Sequence, residues 1–401
     1  MHARDLLYKL TLEGCPGIHR RRLQALAVVV DGLLRVRRLG VVAIGRGLAG
    51  VAAVKHRIKR VDRLIGNEHL AAQRGACYAL MCRWAVSGLA EPVIVVDWSP
   101  LRRDRSWHVL RAGLAVRGRT LTLYEEVHPE ARLGSRRVQH RFLQQLASML
   151  PSGCTPIVVT DAGFGQPWLQ AVSALGWHWV TRLRGRLYLA WHQHPSAWVC
   201  LRSLYERASS RARKLGLAWI VRSRPIEAVI VAYRSPYKGR SRKTVFGESA
   251  RRKHSRYQAR RQREPWMLAI SPALARRCSP RRIVNLYRCR MQIEEAFRDL
   301  KSTRYGYGYP GVHTRSDPRR MANLLLVAAL ALWLQWCIGW DQRERAHAYQ
   351  TNSSRRRATA VLSIITTAAI HIQQQGSPHL RRRGLARAMR HLQAINASWT
   401  T

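Results

Sequence analysis

The chain has 401 residues and a mass of 45.9 kDa, more than a single hydrophobic core usually organises, so two or more folded units are expected. Seventy Lys and Arg against 22 Asp and Glu leave a net charge of +48 and an isoelectric point near 11.6. A field that strong repels itself unless a polyanion neutralises it, which argues against a small-molecule metabolic enzyme and for a nucleic-acid partner. An apolar share of 47% with 14 Trp argues equally against a disordered basic tail, because such tails lack the side chains that fill a core.

Residues 1–90 carry apolar positions at helical period and no alternating β-branched run, so an all-helical region is expected. Residues 1–10 hold no apolar stretch of signal-peptide length, which predicts a cytoplasmic protein. Eight scattered Cys with no CxxC pair predict reduced structural thiols rather than a zinc site. Residues 41–46, a short Gly-containing stretch and residues 54–65 read as a helix-turn-helix. In its second helix Val54, Ile58, Val61 and Ile65 form an apolar stripe, and Lys55, Lys59 and Arg63 line another face suited to DNA.

From Glu91 the texture changes. Residues 92–97 (PVIVVD) form a short apolar run of strand length that ends in Asp97. Strands over 107–116 and 120–127 flank Arg117-Gly118-Arg119, a hairpin turn. Residues 135–150 place Val138, Phe142, Leu146 and Met149 at helical spacing, and residues 156–161 (PIVVTD) repeat the apolar strand ending in an acid, Asp161. A helix over 168–175 and a strand over 177–184 follow. The order β-β-β-α-β-α-β predicts an α/β core with a mixed sheet, the RNase H-like layout.

Residues 186–276 interrupt that core as a β-rich insertion, with strands near 218–222, 228–233 and 266–271 and a basic run over 238–263 that suits DNA phosphates. The core is expected to occupy 91–185 and 277–345, with a helical region over 346–401 for dimerisation. Residues 321–340 are twenty without a charge, long enough to span a bilayer. Asn323 and Gln335 interrupt them, and Trp333, Trp336 and Trp340 share one face, so a buried helix of a soluble protein is expected instead. Residues 358–372 and 380–392 read as helical.

Phosphodiester chemistry without a covalent protein intermediate commonly uses two divalent cations about 3.5 to 4 Å apart. Two or three carboxylates at strand and helix ends suffice to hold them, and Asp97 and Asp161 each end an apolar strand. A third should come from the helix that Ser279 and Pro280 open, predicted to run unbroken to Lys301. At about 100° per residue, Tyr287, Arg290, Glu294 and Lys301 fall in one stripe, while Glu295 points elsewhere. One acid among two cations and a phenol suits metal plus phosphate; the alternative is an i, i+4 ion pair between Arg290 and Glu294.

The spacing Tyr287-x2-Arg290-x3-Glu294-x6-Lys301, with Asp97 and Asp161 upstream, resembles the YREK signature and DDE triad of bacterial insertion-sequence transposases, in particular the cut-and-paste members of insertion-sequence family four. The resemblance implies an RNase H-like core that cleaves double-stranded DNA at the inverted-repeat ends with two Mg²⁺ ions, or Mn²⁺ in their place. It also implies a hairpin intermediate, strand transfer into target DNA, and a homodimer on two DNA ends at the nucleoid, with no membrane. By the same resemblance Trp266 stacks on a flipped base, and Arg182 and Arg184 hold the DNA end. Two other readings stay open. One is a nuclease or resolvase on this fold without strand transfer. The other is a non-catalytic DNA-binding protein, in which three converging acids would repel one another and phosphate.

Overall fold

The computed structural model describes residues 1–236, 251, 253, 264–304, 306–309, 312, 314, 317–344, 362–376 and 378–400. The chain divides into two compact units, Met1–Cys154 with Met291–Thr401, and Thr155–Arg290. Apart from residues 251 and 253, the basic run predicted over 238–263 lies outside the described residues, as does the start of the helix predicted from 358.

The first unit opens with the helices α1 (Ala3–Gly14), α2 (Arg20–Val36), α3 (Val41–Gly47), α4 (Val54–Ile65) and α5 (Glu68–Val86), matching the helical period over 1–90. Asn67 caps α5, its Oδ1 accepting from the Leu70 amide at 2.7 Å. The predicted helix-turn-helix corresponds to α3 and α4, which meet backbone to backbone: a Cβ on Gly45 would stand 2.6 Å from the Ile58 Cα, so no larger residue lets the two helices approach this closely. In α4, Val61, Leu64 and Ile65 are buried, while Lys55, His56, Lys59, Arg60 and Arg63 are exposed. Val54, in the open first turn, stays exposed, although the apolar stripe would bury it.

The strands β1 (Val93–Pro100), β2 (Trp107–Ala115) and β3 (Thr120–Pro129) form an antiparallel meander. Its tight turn has Arg117 and Gly118 at φ 57° and 84°, the paired left-handed conformation whose twist matches a hairpin. Register places Asp97, Arg111 and Glu125 opposite one another across the three strands. α6 (Arg136–Met149) follows, and the unit is completed by α10 (Met291–Lys301), α11 (Pro318–Glu344), α12 (Ile364–Gln375) and α13 (Arg382–Thr400).

α11 contains the uncharged stretch, and its most apolar window is wholly buried, packed against α2, α4, α5 and β3. Both polar interruptions are satisfied inside the protein. Asn323 donates to the Ile65 and Asn67 carbonyls at 2.9 and 3.2 Å, and Gln335 donates to the Ile365 carbonyl at 3.0 Å while accepting from the Tyr307 hydroxyl at 2.9 Å. Trp333 packs against Trp84 with ring centroids 4.8 Å apart and the planes tilted by 31°. The length that suggested a bilayer serves a protein core.

The second unit begins with β4 (Ile157–Thr160), α7 (Gln166–Ala174) and β5 (His178–Leu183), a parallel pair joined through a helix. β6 (Tyr188–Trp191), β7 (Trp198–Cys200), β8 (Arg213–Ile220), β9 (Ile226–Tyr233) and β10 (Trp266–Ile270) follow, then α8 (Pro272–Arg277) and α9 (Pro280–Arg288). Strand order is β4-β5-β10-β9-β8-β6-β7, antiparallel beyond β5, so the sheet is mixed. The insertion strands therefore continue the sheet rather than forming one of their own. β10 supplies the ladder partner that the edge of β5 would otherwise lack.

One predicted helix is two. The single helix expected over 280–301 breaks between α9 and α10, where the Cys289 and Arg290 amides turn to the carbonyls three residues back, Leu286 and Tyr287, at 3.1 Å each. Bonds of that spacing tighten the last turn and end the α-helical ladder.

Candidate active site

In the first unit, α10 is fastened to the β2–β3 turn. The Val116 amide donates to Gln292 Oε1 at 3.1 Å, and Arg119 Nε donates to Asp299 Oδ2 at 2.7 Å. Burial raises the Asp299 carboxyl even against the pull of Arg119. These ties aim the helix at the meander. Lys301 Nζ donates to Ser99 Oγ at 2.5 Å, and Ser99 lies two residues past Asp97, hence on the same strand face. Asp97 Oδ1 accepts from the next amide, Trp98, at 2.8 Å.

Ser99, Glu294, Phe297, Arg298, Lys301 and Ser302 line an open cavity of about 380 Å³. Glu294 and Lys301 thus face one space, whereas Glu295 is 41% exposed and ion-paired with Arg298 at 2.6 Å. Burial, with the nearby Arg111 guanidinium, pushes the Lys301 amine down to about 8, against the opposing pull of Asp97. The Phe297 ring in that lining has the Arg111 guanidinium 4.9 Å and the Lys301 amine 5.1 Å from its centroid. Arg111 pairs with Glu125 at 2.6 Å, both 1% exposed, and Tyr78 donates to the same carboxylate at 3.1 Å.

In the second unit, Asp161 follows β4 directly. Its Oδ1 accepts from the Gly163 amide at 2.8 Å, and its carbonyl accepts from Thr181 Oγ1 at 3.1 Å. Tyr287, on α9, is buried, which raises its phenol; Arg290 and Arg182 lower it, and Asp161 raises it further, so these four groups share one electrostatic neighbourhood. Trp266 meets the Tyr287 ring edge-on at 5.0 Å and the Tyr233 ring at 5.8 Å. Arg182 Nε, Arg184 Nε, Tyr205 Oη and Glu264 Oε2 are all buried without a hydrogen-bond partner, an accumulation of unsatisfied polar atoms that a folded protein rarely keeps without a use.

The predicted stripe is therefore interrupted: Tyr287 on α9 and Arg290 in the turn after it belong to the second unit, and Glu294 and Lys301 on α10 to the first. Ser99, Arg111, Glu125, Tyr205 and Glu264 escaped sequence reasoning. Two signals were there to read. Ser99 follows Asp97 by the strand period of two, and Arg111 and Glu125 each lie seven residues from Gly118, the centre of the predicted turn.

Among the described residues no three His, Cys, Asp or Glu side chains come together as a metal cage. The donors that β1 and α10 offer are carboxylate oxygens beside an open cavity. That hard set suits a divalent cation that keeps water or substrate oxygens in its remaining positions.

A mixed-sheet α/β core with carboxylates beside partly buried cations, on a chain of this charge, offers what phosphoryl transfer on nucleic acid requires. The sequence pattern of the transposase DDE domain matches residues 88–334, well over half of the chain, and the chain belongs to that family. No curated protein matches it. The core is accordingly RNase H-like, and the protein is a transposase, of a class that acts on DNA and depends on divalent metal.

Proposed function

We propose that this transposase is of the cut-and-paste type, with the YREK signature of insertion-sequence family four. It would bind the terminal inverted repeats of its own element, cut them through a hairpin intermediate and join them to target DNA as a homodimer on two ends, in the cytoplasm at the nucleoid. Asp97, Asp161 and Glu294 are the proposed ligands of two Mg²⁺ ions, with Mn²⁺ as substitute; bound there, the ions would activate the attacking oxygen and stabilise the leaving one. Lys301 and Arg290 are assigned to phosphate contacts and Tyr287 to the DNA end beside them, with Arg184 at the same end. Trp266 is assigned to a flipped base, and Lys55, Lys59 and Arg63 to the terminal repeat.

The observation that carries this reading is Glu294 and Lys301 lining one cavity, with Lys301 bonded to Ser99 on the strand that bears Asp97. A lysine held there brings a cation to phosphate, and a glutamate beside it brings a carboxylate to the metal.

Glu294 and Glu295 supply the test, because they are adjacent and alike in chemistry yet point about 100° apart. On duplexes carrying the DNA that flanks the reading frame, with Mg²⁺, Glu294→Gln should abolish nicking and strand transfer while duplex binding persists, and Glu295→Gln should retain most activity. Asp97→Ala and Asp161→Ala should behave like Glu294→Gln. Equal losses from the two glutamate changes would overturn the assignment, and cleavage by the wild type without joining would point to a nuclease instead.

A further inference from the structure

We infer that Arg182 is a positioning residue for Trp266 rather than a contact to the DNA backbone. The inference rests on the flipped-base reading of Trp266 and assigns the fixing of its ring to a residue that touches no DNA.

Arg182 is only 6% exposed, too deep for a phosphate to reach without unpacking β5. Its Nη2 donates to the Glu264 carbonyl at 3.0 Å and to the Pro265 carbonyl at 3.1 Å, the two carbonyls immediately before Trp266. The ladder between the strands pairs Leu268 with Arg182 itself, so the entry to β10 is tied to β5 by backbone and by side chain at one residue. Pro265 has no amide to contribute, and the β5 ladder begins only at Met267, so on the β5 side the guanidinium is the tie to this segment, while the other side pairs Trp266 with Tyr233 of β9.

The Trp266 ring makes T-shaped contacts with the Tyr233 and Tyr287 rings, at interplanar angles of 64° and 77°, and remains partly exposed. Its orientation follows from where the Pro265–Trp266 backbone sits, because the two tyrosine rings fix only its flanks. Removing the guanidinium would leave two carbonyls without their donor and let the segment move. Arg184, two residues along and half-buried at the open end of β5, keeps the role of phosphate contact.

The test uses full-length protein labelled with 5-fluorotryptophan, with Trp266→Phe identifying the Trp266 fluorine resonance. Arg182→Met should move that resonance in DNA-free protein. It should slow hairpin formation at saturating DNA about 5- to 150-fold, the span of one lost base stack, while first-strand nicking and the salt dependence of DNA binding stay unchanged. Arg182→Lys, which reaches one carbonyl, should restore part of both effects. Arg184→Met should leave the resonance in place and lower the slope of log affinity against log salt by about one. If Arg182→Met does not fold, Arg182→Lys decides by the same two readouts. An unmoved resonance with a slope lowered by about one would make Arg182 a phosphate contact and overturn the inference. Should Trp266→Ala leave hairpin formation at the wild-type rate, the flipped-base reading fails, while a moved resonance would still establish the clamp.

Discussion

Glu126 is surrounded by donors to a degree unusual on a strand. Its carboxylate accepts from Tyr124 Oη and His128 Nε2 at 2.7 Å each and from Arg141 Nη2 at 3.0 Å. Burial alone would raise this acid, yet the three hydrogen bonds together hold it below its ordinary value of 4.5. A carboxyl depressed in the folded state contributes stability that is complete above the unfolded value and is lost as pH falls through the folded one. Melting followed from pH 7 to pH 3 should therefore fall more steeply for the wild type than for Glu126→Gln, with the variant less stable at pH 7 and the two curves converging in acid; parallel curves would mean the network contributes nothing. At this scale the sequence was legible wherever a residue obeyed a period. Asp161 stands out as the acid directly after an apolar strand, whereas Asp97, expected to end its strand, lies within β1, which pairs on to Pro100; the division between Glu294 and Glu295 follows from about 100° per residue. Tyr205 and Glu264 gave no signal, since a 3₁₀ turn and a loop bring them in, and neither has a period to read.

Whole elements were legible in proportion to their length. α11 is apolar over many turns, and the sequence found it as one uncharged run, whereas α2 and α5 fall inside the region read as helical without bounds of their own. β6 and β7 have four and three residues, too few for an alternation to register, and the break between α9 and α10 carries neither Gly nor Pro to announce it. The helix-turn-helix is the element whose geometry rests on one residue. Adding a methyl group at Gly45 would drive it into the Ile58 backbone at 2.6 Å, which cannot rotate aside as a side chain can. Gly45→Ala should cost about 1–3 kcal/mol by overpacking and weaken duplex binding while leaving the cavity of Glu294 and Lys301 intact. Chemical denaturation and a binding titration on one preparation check both; unchanged stability would show that α3 and α4 separate without penalty.

For the molecule as a whole, charge outweighs every other property in setting how it meets its partner. A surplus of 48 positive charges makes counterion release the main source of DNA affinity, so log affinity should fall linearly and steeply with log salt, by about 0.9 for each phosphate neutralised on duplex DNA. Neutralising Lys55, Lys59 and Arg63 together should lower that slope by about three without altering the Mg²⁺ dependence of cleavage. Binding insensitive to salt would contradict the assignment of these residues. Composition announced the partner before any motif was read, and the order of strands announced the mixed sheet. Composition could not show where the boundary between the units falls, because Arg290 and Met291 lie within a stretch whose pattern reads as one continuous helix.

That boundary affects the timing of synthesis. The first unit is assembled from two stretches of chain separated by residues 155–290, and the apolar α11 that fills its interior begins only at Pro318. At about 5–20 residues per second, the helices that carry the basic face leave the ribosome well before the segment they close upon. The second unit is contiguous and can mature while the first still waits for its interior. A segment translated later thus completes a unit that was begun earlier in the chain.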